Sequence, residues 1–267
     1  MIKVAVMGCT GRMGSAITQH ALDSNKFEFI GGAVKVGSED IGKDIGVLLK
    51  RGHVGVLVTD DPIPLIQQAD VIIDFTAPQA SAKMAQLCAE YGKPIIIGTT
   101  GLGKDLQQDI INASDKVPVI FSPNMSIGIT LMTVLVRKMA QILDETFDIE
   151  IVEMHHRHKL DAPSGTAISL GQAAAKGRGF ILEGNSARCR VGPRHPGEIG
   201  FSSLRGGEVA GNHTVVFAGN DEVLEITHRA NNRHMFASGA LNAAEWLLNQ
   251  PKGLYTMHDV LGINGGA

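Results

Sequence analysis

The chain opens on an apolar run, Ile2-Lys3-Val4-Ala5-Val6-Met7, that breaks into Gly8-Cys9-Thr10-Gly11-Arg12-Met13-Gly14, after which apolar residues recur at helical spacing to residue 22. A short buried strand, a turn with glycine at three set places and an amphipathic helix constrain the fold more than any other feature here. Gly8 lets the turn form, Gly11 lets the backbone approach a pyrophosphate, and Gly14 lets the helix pack close to the strand, whose following helix N-terminus then faces the phosphates. Gly8, Cys9, Thr10, Gly11, Arg12 and Met13 are therefore expected to line a dinucleotide phosphate site, with Arg12 over the phosphates or the adenine.

The alternation continues. Further apolar strands are predicted at 27–33, 71–75, 94–98 and 117–121, with helices near 79–91 and 104–114. Strands that are apolar throughout and alternate with helices predict an α/β fold, a Rossmann-like doubly wound parallel sheet covered on both faces. A long helix rich in Met, Leu and Val is predicted over 126–143, its methionines filling core space. From Phe147 the pattern changes to strands at 148–154, 201–205, 213–217 and 223–228 with a helix at 164–176. This predicts an inserted α+β substrate domain with a mostly antiparallel sheet, spanning 127–234. A closing helix at 236–248, carrying Trp246 on its apolar stripe, returns to the nucleotide domain, which comprises 1–126 completed by 235–267.

Composition removes several classes of function. A net charge of -3, with one Trp and two Tyr, argues against bulk nucleic-acid binding, which needs a basic face and stacking rings. Cys9, Cys88 and Cys189 are widely separated and odd in number, so neither a disulfide framework nor a zinc knuckle is expected, and a reducing cytoplasm fits best. The N-terminal apolar run is too short for a signal peptide, and no stretch approaches the roughly 18 apolar residues that span a bilayer. No membrane association is expected. The 32 glycines follow no collagen-like period, which assigns them to turns and to close backbone approaches.

Against that mildly acidic background, His155-His156-Arg157-His158-Lys159 sets five potentially cationic side chains directly before Leu160-Asp161-Ala162-Pro163-Ser164-Gly165-Thr166-Ala167. Such a cluster reads as a seat for a small anion. The helix start at Ser164, Gly165 and Thr166 supplies a second seat from backbone N–H groups and the two hydroxyls. A dicarboxylate suits two such seats. Zinc is not expected at the three histidines, because Arg157 and Lys159 raise the cost of a divalent cation there and no carboxylate or cysteine has ligand spacing to them. His158 is expected to be structural and to point away from His156 and Lys159. Arg188, Arg190, Arg194 and His195 form a second basic group, expected in a mobile surface loop or a subunit contact. After the second strand the chain runs Gly32-Ala33-Val34-Lys35, with no carboxylate before Glu39. Lys35 is thus placed to pair with a 2′-phosphate, favouring NADPH while leaving NADH possible.

These motifs, together with Phe75-Thr76-Ala77-Pro78, Gly98-Thr99-Thr100-Gly101, Ser122-Pro123-Asn124-Met125-Ser126 and Glu153-Met154 before the basic run, resemble the dihydrodipicolinate reductase family over essentially the whole chain. The resemblance implies NAD(P)H-dependent reduction of 4-hydroxy-tetrahydrodipicolinate in the diaminopimelate route to lysine. It further implies that Phe75, Gly98, Thr99, Thr100, Ser122, Pro123, Asn124 and Met125 contact the cofactor, chiefly its nicotinamide half. His155 becomes a proton donor or acceptor, Lys159 a proton donor and His156 a carboxylate ligand; Arg233 lies near the substrate, and the assembly is a homotetramer. The family's common acidic residue after the second strand is matched here by Val34, and its basic neighbour by Lys35. A non-catalytic NAD(P)-sensing protein would have no use for His155 and Lys159 together. A semialdehyde dehydrogenase would need a nucleophilic cysteine in a suitable loop, whereas Cys9 lies in the phosphate loop and Cys88 on a helix.

Overall fold

A computed structural model describes residues 1–232 and 234–263. The elements in chain order are β1 (Ile2–Met7), α1 (Arg12–Leu22), β2 (Phe27–Ala33), α2 (Ile45–Leu48), α3 (Ile63–Gln68), β3 (Val71–Asp74), α4 (Pro78–Tyr91), β4 (Ile95–Ile97), α5 (Lys104–Ser114) and β5 (Pro118–Phe121). There follow α6 (Ile127–Ile142), β6 (Asp148–His155), α7 (Gly165–Gly177), β7 (Ser186–Arg188), β8 (Ile199–Arg205), β9 (Gly211–Ala218), β10 (Val223–Ala230), α8 (His234–Leu247), β11 (Gly253–Tyr255) and α9 (Met257–Val260). They form two compact units, the second of which is Ser126–Asn232.

The first unit is a parallel sheet of six strands in the order β11-β5-β4-β3-β1-β2. Alternate side chains serve opposite faces. Val4, Val6, Ile73, Ile96 and Ile120 join α1 and α8 in one core cluster. Ala5, Met7, Ile72, Ile95, Ile97 and Val119 join Ile66, Ala85, Cys88 and Ile110 in the other. Each fully buried isoleucine contributes about 1.5–3 kcal/mol of transfer free energy, which makes this sheet the rigid base of the unit. The chain places β2 on one side of β1 and β3 on the other, so the loops after β1 and β3 diverge and leave a crevice at the carboxyl ends of the strands. The sixth strand, β11, escapes prediction because a three-residue edge strand has no readable period.

The second sheet, ordered β10-β9-β6-β8-β7, is mixed: the antiparallel ladders expected from the sequence are joined by parallel pairings toward one edge. β10 with β9 and β9 with β6 are antiparallel, whereas β6 with β8 and β8 with β7 are parallel. The cause is α7, which lies between β6 and β8 in the chain and supplies the long crossover that a parallel return needs. On the face covered by α6 and α7, the lower rungs are apolar: Ile149, Ile151, Ile199, Phe201, Val215 and Phe217. Strict alternation along β6 then carries Glu153 and His155 onto that same face. Register places His213 and Ser203 beside Glu153, and Arg205 beside His155. The covered face thus changes from hydrocarbon to ionisable groups at one height across three strands.

The second basic group is tied down rather than loose. Arg190 pairs with Glu150 and Glu198, and Arg194 with Asp148 and Glu150. Carboxylates on β6 and just before β8 hold this segment, a constraint that no local pattern announces.

Candidate active site

Gly8 takes φ +78°, and its N–H donates to the Ala33 carbonyl at 2.7 Å while Gly11 N–H donates to the Gly8 carbonyl at 2.9 Å. A Cβ on Gly14 would lie 2.0 Å from the Gly8 oxygen, and one on Gly8 would lie 2.9 Å from the Phe75 oxygen. Any side chain at Gly14 would push α1 off the strand. Gly11, the N-cap of α1, has no side chain to bond the first-turn N–H groups, and that turn carries no acid. An anion is the natural partner for such a helix start. Cys9 is fully buried, its sulfur close to Gly32, and burial pushes its thiol up to about 12. It offers a ligand only its backbone.

Around this loop lie two cavities. One, of about 470 Å³, is lined by Arg12, Met13, Phe75, Gly98, Thr99, Thr100, Pro123, Asn124 and Met125, all anticipated, and by Thr76, Ala77, Pro78 and Phe236. The other, of about 410 Å³, joins Thr10 to Ser15, Gln19 and Asp40. Ser122 donates its hydroxyl to the Asn124 carbonyl at 2.9 Å and so shapes the turn behind the first cavity. Lys35 is exposed just after β2 and is not among the residues of either cavity; the carboxylate that does enter the second cavity is Asp40. Two cavities flanking a glycine turn that no Cβ could enter fit the two halves of a dinucleotide.

Beneath the larger cavity, Asp74 is completely buried. Its Oδ1 accepts the Thr76 N–H at 2.9 Å and the Thr76 hydroxyl at 2.6 Å; the Thr76 and Ser81 oxygens lie 3.2 Å apart, and Ser81 donates to Thr99 at 2.7 Å. This hydroxyl chain links the loop after β3 to the loop after β4. Burial raises the Asp74 carboxyl to about 6, against the pull of the Thr76 and Ser81 hydrogen bonds.

In the second unit the ionisable rungs interlock. The Nδ1 of His155 lies 2.6 Å from Glu153 Oε2, and Arg205 grips both oxygens of the same carboxylate at 2.8 Å each. Ser164 N–H donates to Glu153 Oε1 at 3.2 Å, and Arg205 also donates to the Asp161 carbonyl at 2.6 Å. Burial alone would raise the Glu153 carboxyl, but Arg205, His155 and Ser203 outweigh it and bring it down to about 2. An ionised carboxylate can only accept, so His155 carries its proton on Nδ1 when neutral, leaving Nε2 as the atom that takes up or releases a proton. Burial lowers the pKa of His155, only partly opposed by Glu153. A Cβ at Gly211 would lie 2.9 Å from this Nε2, so glycine there keeps the atom uncrowded.

His213 stacks edge-on against His155 with ring centroids 5.1 Å apart and shares a 2.9 Å hydrogen bond between its Nε2 and the Ser164 hydroxyl. Burial, with the neighbouring His155, drives His213 down to about 4. The Ser164 oxygen also caps α7 by accepting the Ala167 N–H at 3.1 Å. Ser164 is thus occupied as a cap and a histidine partner, unlike the hydroxyl ligand expected from the sequence; Gly165, exposed, and Thr166, half-buried, stand at the open start of the helix.

Lys159 and His156 lie in the turn beyond β6. Lys159 Nζ donates to Asp161 at 2.7 Å. Asp161 is largely exposed, so the pair is worth about 0–1 kcal/mol and Lys159 can be drawn to another anion. The strand ends at His155, so period-two alternation does not extend to His158; the His156 and His158 rings sit 6.2 Å apart instead of on opposite sides. Arg233 falls outside the described residues. Sequence reasoning passed over Glu153, Arg205 and His213 as site residues. The available signal was a carboxylate at a core rung of a strand whose other inward residues are isoleucines. Among the described residues, no group of three His, Cys, Asp or Glu side chains is placed to hold a metal ion.

Comparison with known proteins is concordant along the whole chain. The family model described as dihydrodipicolinate reductase, N-terminus matches residues 2–125, and that described as dihydrodipicolinate reductase, C-terminus matches 128–261. A 4-hydroxy-tetrahydrodipicolinate reductase of Anaeromyxobacter dehalogenans is 46% identical over 269 residues, covering 100% of both chains. One from Rhodopseudomonas palustris is 47% identical over 265 residues, covering 98% of each. Among solved structures, a dipicolinate-bound dihydrodipicolinate reductase from Paenisporosarcina sp. TG-14 superposes with a TM-score of 0.74 at 28% identity, covering 96% of this chain and 97% of that one. Matching in both halves and nearly half identical to its relatives from end to end, the chain belongs to the dihydrodipicolinate reductase family.

Proposed function

We propose that this protein catalyses the NAD(P)H-dependent reduction of 4-hydroxy-tetrahydrodipicolinate to tetrahydrodipicolinate, the diaminopimelate-pathway step toward lysine. The observation that carries the reading is the carboxylate-oriented His155 set beside Lys159 and the start of α7 in a member of this family. When bound, the nicotinamide would supply a hydride to the conjugated imine that forms as the 4-hydroxyl leaves, with a ring proton, as water. Adding hydride leaves negative charge on the ring that must be met by a cation and one proton. Lys159, whose partner Asp161 is exposed, brings an ammonium proton; His155 exchanges a proton at Nε2. His156 and the Gly165–Thr166 helix start engage the two carboxylates, a reading supported by the dipicolinate bound in the solved relative. Arg12, Phe75, the 98–100 loop and the 122–125 turn hold the nucleotide.

Lys35 at the end of β2 tilts the preference toward NADPH by pairing with the 2′-phosphate, and Asp40 beside Thr10 retains some use of NADH by accepting from a ribose hydroxyl. The working form is a homotetramer in the cytoplasm. Leu204 and Val223, 51% and 60% exposed, give the second sheet's outer face an apolar character that suits self-association. In the test, freshly made condensation product of aspartate semialdehyde and pyruvate is mixed with the protein and NADPH. Rapid loss of NADPH absorbance is expected; nucleotide binding without turnover would overturn the reading in favour of a sensor.

A further inference from the structure

We propose that Glu153 is a positioning residue for this reaction: its carboxylate fixes the Nδ1–H tautomer of His155, so that Nε2 alone exchanges protons, and ties that ring to the first turn of α7. The inference rests on the reductase reading above and deepens it. Glu153 is 1% exposed, one rung above Ile151, at the height where the hydrocarbon face gives way to ionisable groups. A charge there is costly unless it is fully bonded, and Arg205 alone satisfies one lone pair on each oxygen. A merely structural ion pair would end at that point. Further contacts go instead to His155 Nδ1, at 2.6 Å shorter than either Arg205 bond, and to the backbone N–H of Ser164.

Each end of the system therefore acts on a different part of the site. Ser164 is the N-cap of α7, and its hydroxyl reaches His213, whose ring abuts His155. Arg205 reaches the carbonyl of Asp161, the residue that holds Lys159. One carboxylate thereby sets the orientation of the histidine, the place of the helix start and, through Arg205, the turn bearing the lysine. The charged and titratable groups facing His155 are Glu153 on its own strand, Arg205 on β8, His213 on β9 and Lys159 in the following turn. Of these, Glu153 is the one that raises the proton affinity of His155.

The test combines nitrogen-15 NMR of labelled histidine with kinetics on the full chain. The His155 ring signals are assigned by their loss in His155→Asn. In the wild type the Nδ1–H tautomer is expected. Glu153→Gln should give a mixed or Nε2–H tautomer and lower kcat by on the order of 10²-fold with KM for NADPH unchanged. It should also move the His155 limb of the pH profile to lower pH, because a neutral amide no longer opposes Arg205 and Lys159. Ile151→Val, one rung below, should lower Tm while leaving tautomer and limb in place. An Nε2–H tautomer in the wild type, or an unchanged tautomer and limb in folded Glu153→Gln, would overturn the proposal. Should that variant fail to fold, the wild-type spectrum decides alone. Because the tautomer is read without turnover, a failed assay would sink the reductase reading and leave this result standing.

Discussion

The glycine turn of the first unit and the ionisable rungs of the second are made of different material. Around Gly8, Gly11 and Gly14 the groups on offer are backbone N–H donors and small residues, placed by close packing of α1 on β1. At the end of the second sheet they are ionisable side chains drawn from β6, β8 and β9 and held by Glu153. A backbone site depends on shape and is indifferent to pH. A side-chain site depends on protonation and tolerates little loss of charge.

The sharpest break of that contrast is Lys159→Ala, which should lower kcat by about 10²–10⁴-fold in steady-state assays while NADPH affinity, measured by fluorescence titration, stays within about twofold. Near-wild-type turnover would remove the lysine from the proton chemistry. The reciprocal change is Gly14→Val. Its side chain would meet the Gly8 carbonyl, costing roughly 1–3 kcal/mol of stability and weakening NADPH at least tenfold, with the His155 tautomer untouched. Calorimetry and titration together would expose a failure if both stay normal.

Acid should separate the halves further. His213 has a folded pKa near 4 against an ordinary 6.5, so the unfolded chain binds the extra proton and stability is lost as pH falls between those values. Glu153, held near 2 against 4.5, adds a second loss below that window. Asp74 runs the other way: raised from 3.8 to about 6, it stabilises the first unit at low pH and loses that contribution as pH rises through 6. From pH 6.5 down to 4, hydrogen exchange should therefore rise first in Ser126–Asn232, by an opening free energy of roughly 1–3 kcal/mol. Simultaneous loss of protection in both units would contradict this assignment. The smallest effect belongs to Lys35→Ala, expected to raise KM for NADPH about tenfold and leave NADH within about twofold, as judged by kcat/KM with each cofactor.

The same contrast explains what could be read from the chain. The glycine turn, the buried strands and the helices of the first unit are written in short windows, because each is fixed by its own spacing and its own breakers. Strands β7 and β11, three residues each, carry no period. The parallel pairing of β6 with β8 is a property of the α7 crossover and of the whole sheet, so strand patterns alone do not announce it. His155, Lys159 and the α7 start stood out as a local run of charge. Glu153 bonds Arg205 from 52 residues away, and Ser164 bonds His213 from 49, so these partners became visible only once register brought the strands together.

The hydroxyl chain from Asp74 through Thr76 and Ser81 to Thr99 has a mechanical consequence. Two loops that frame the larger cavity share one anchor in the core, so they behave as a single jaw and not as two independent fingers. A force applied to either is felt by the other, and the width of the groove becomes a property of the sheet beneath it.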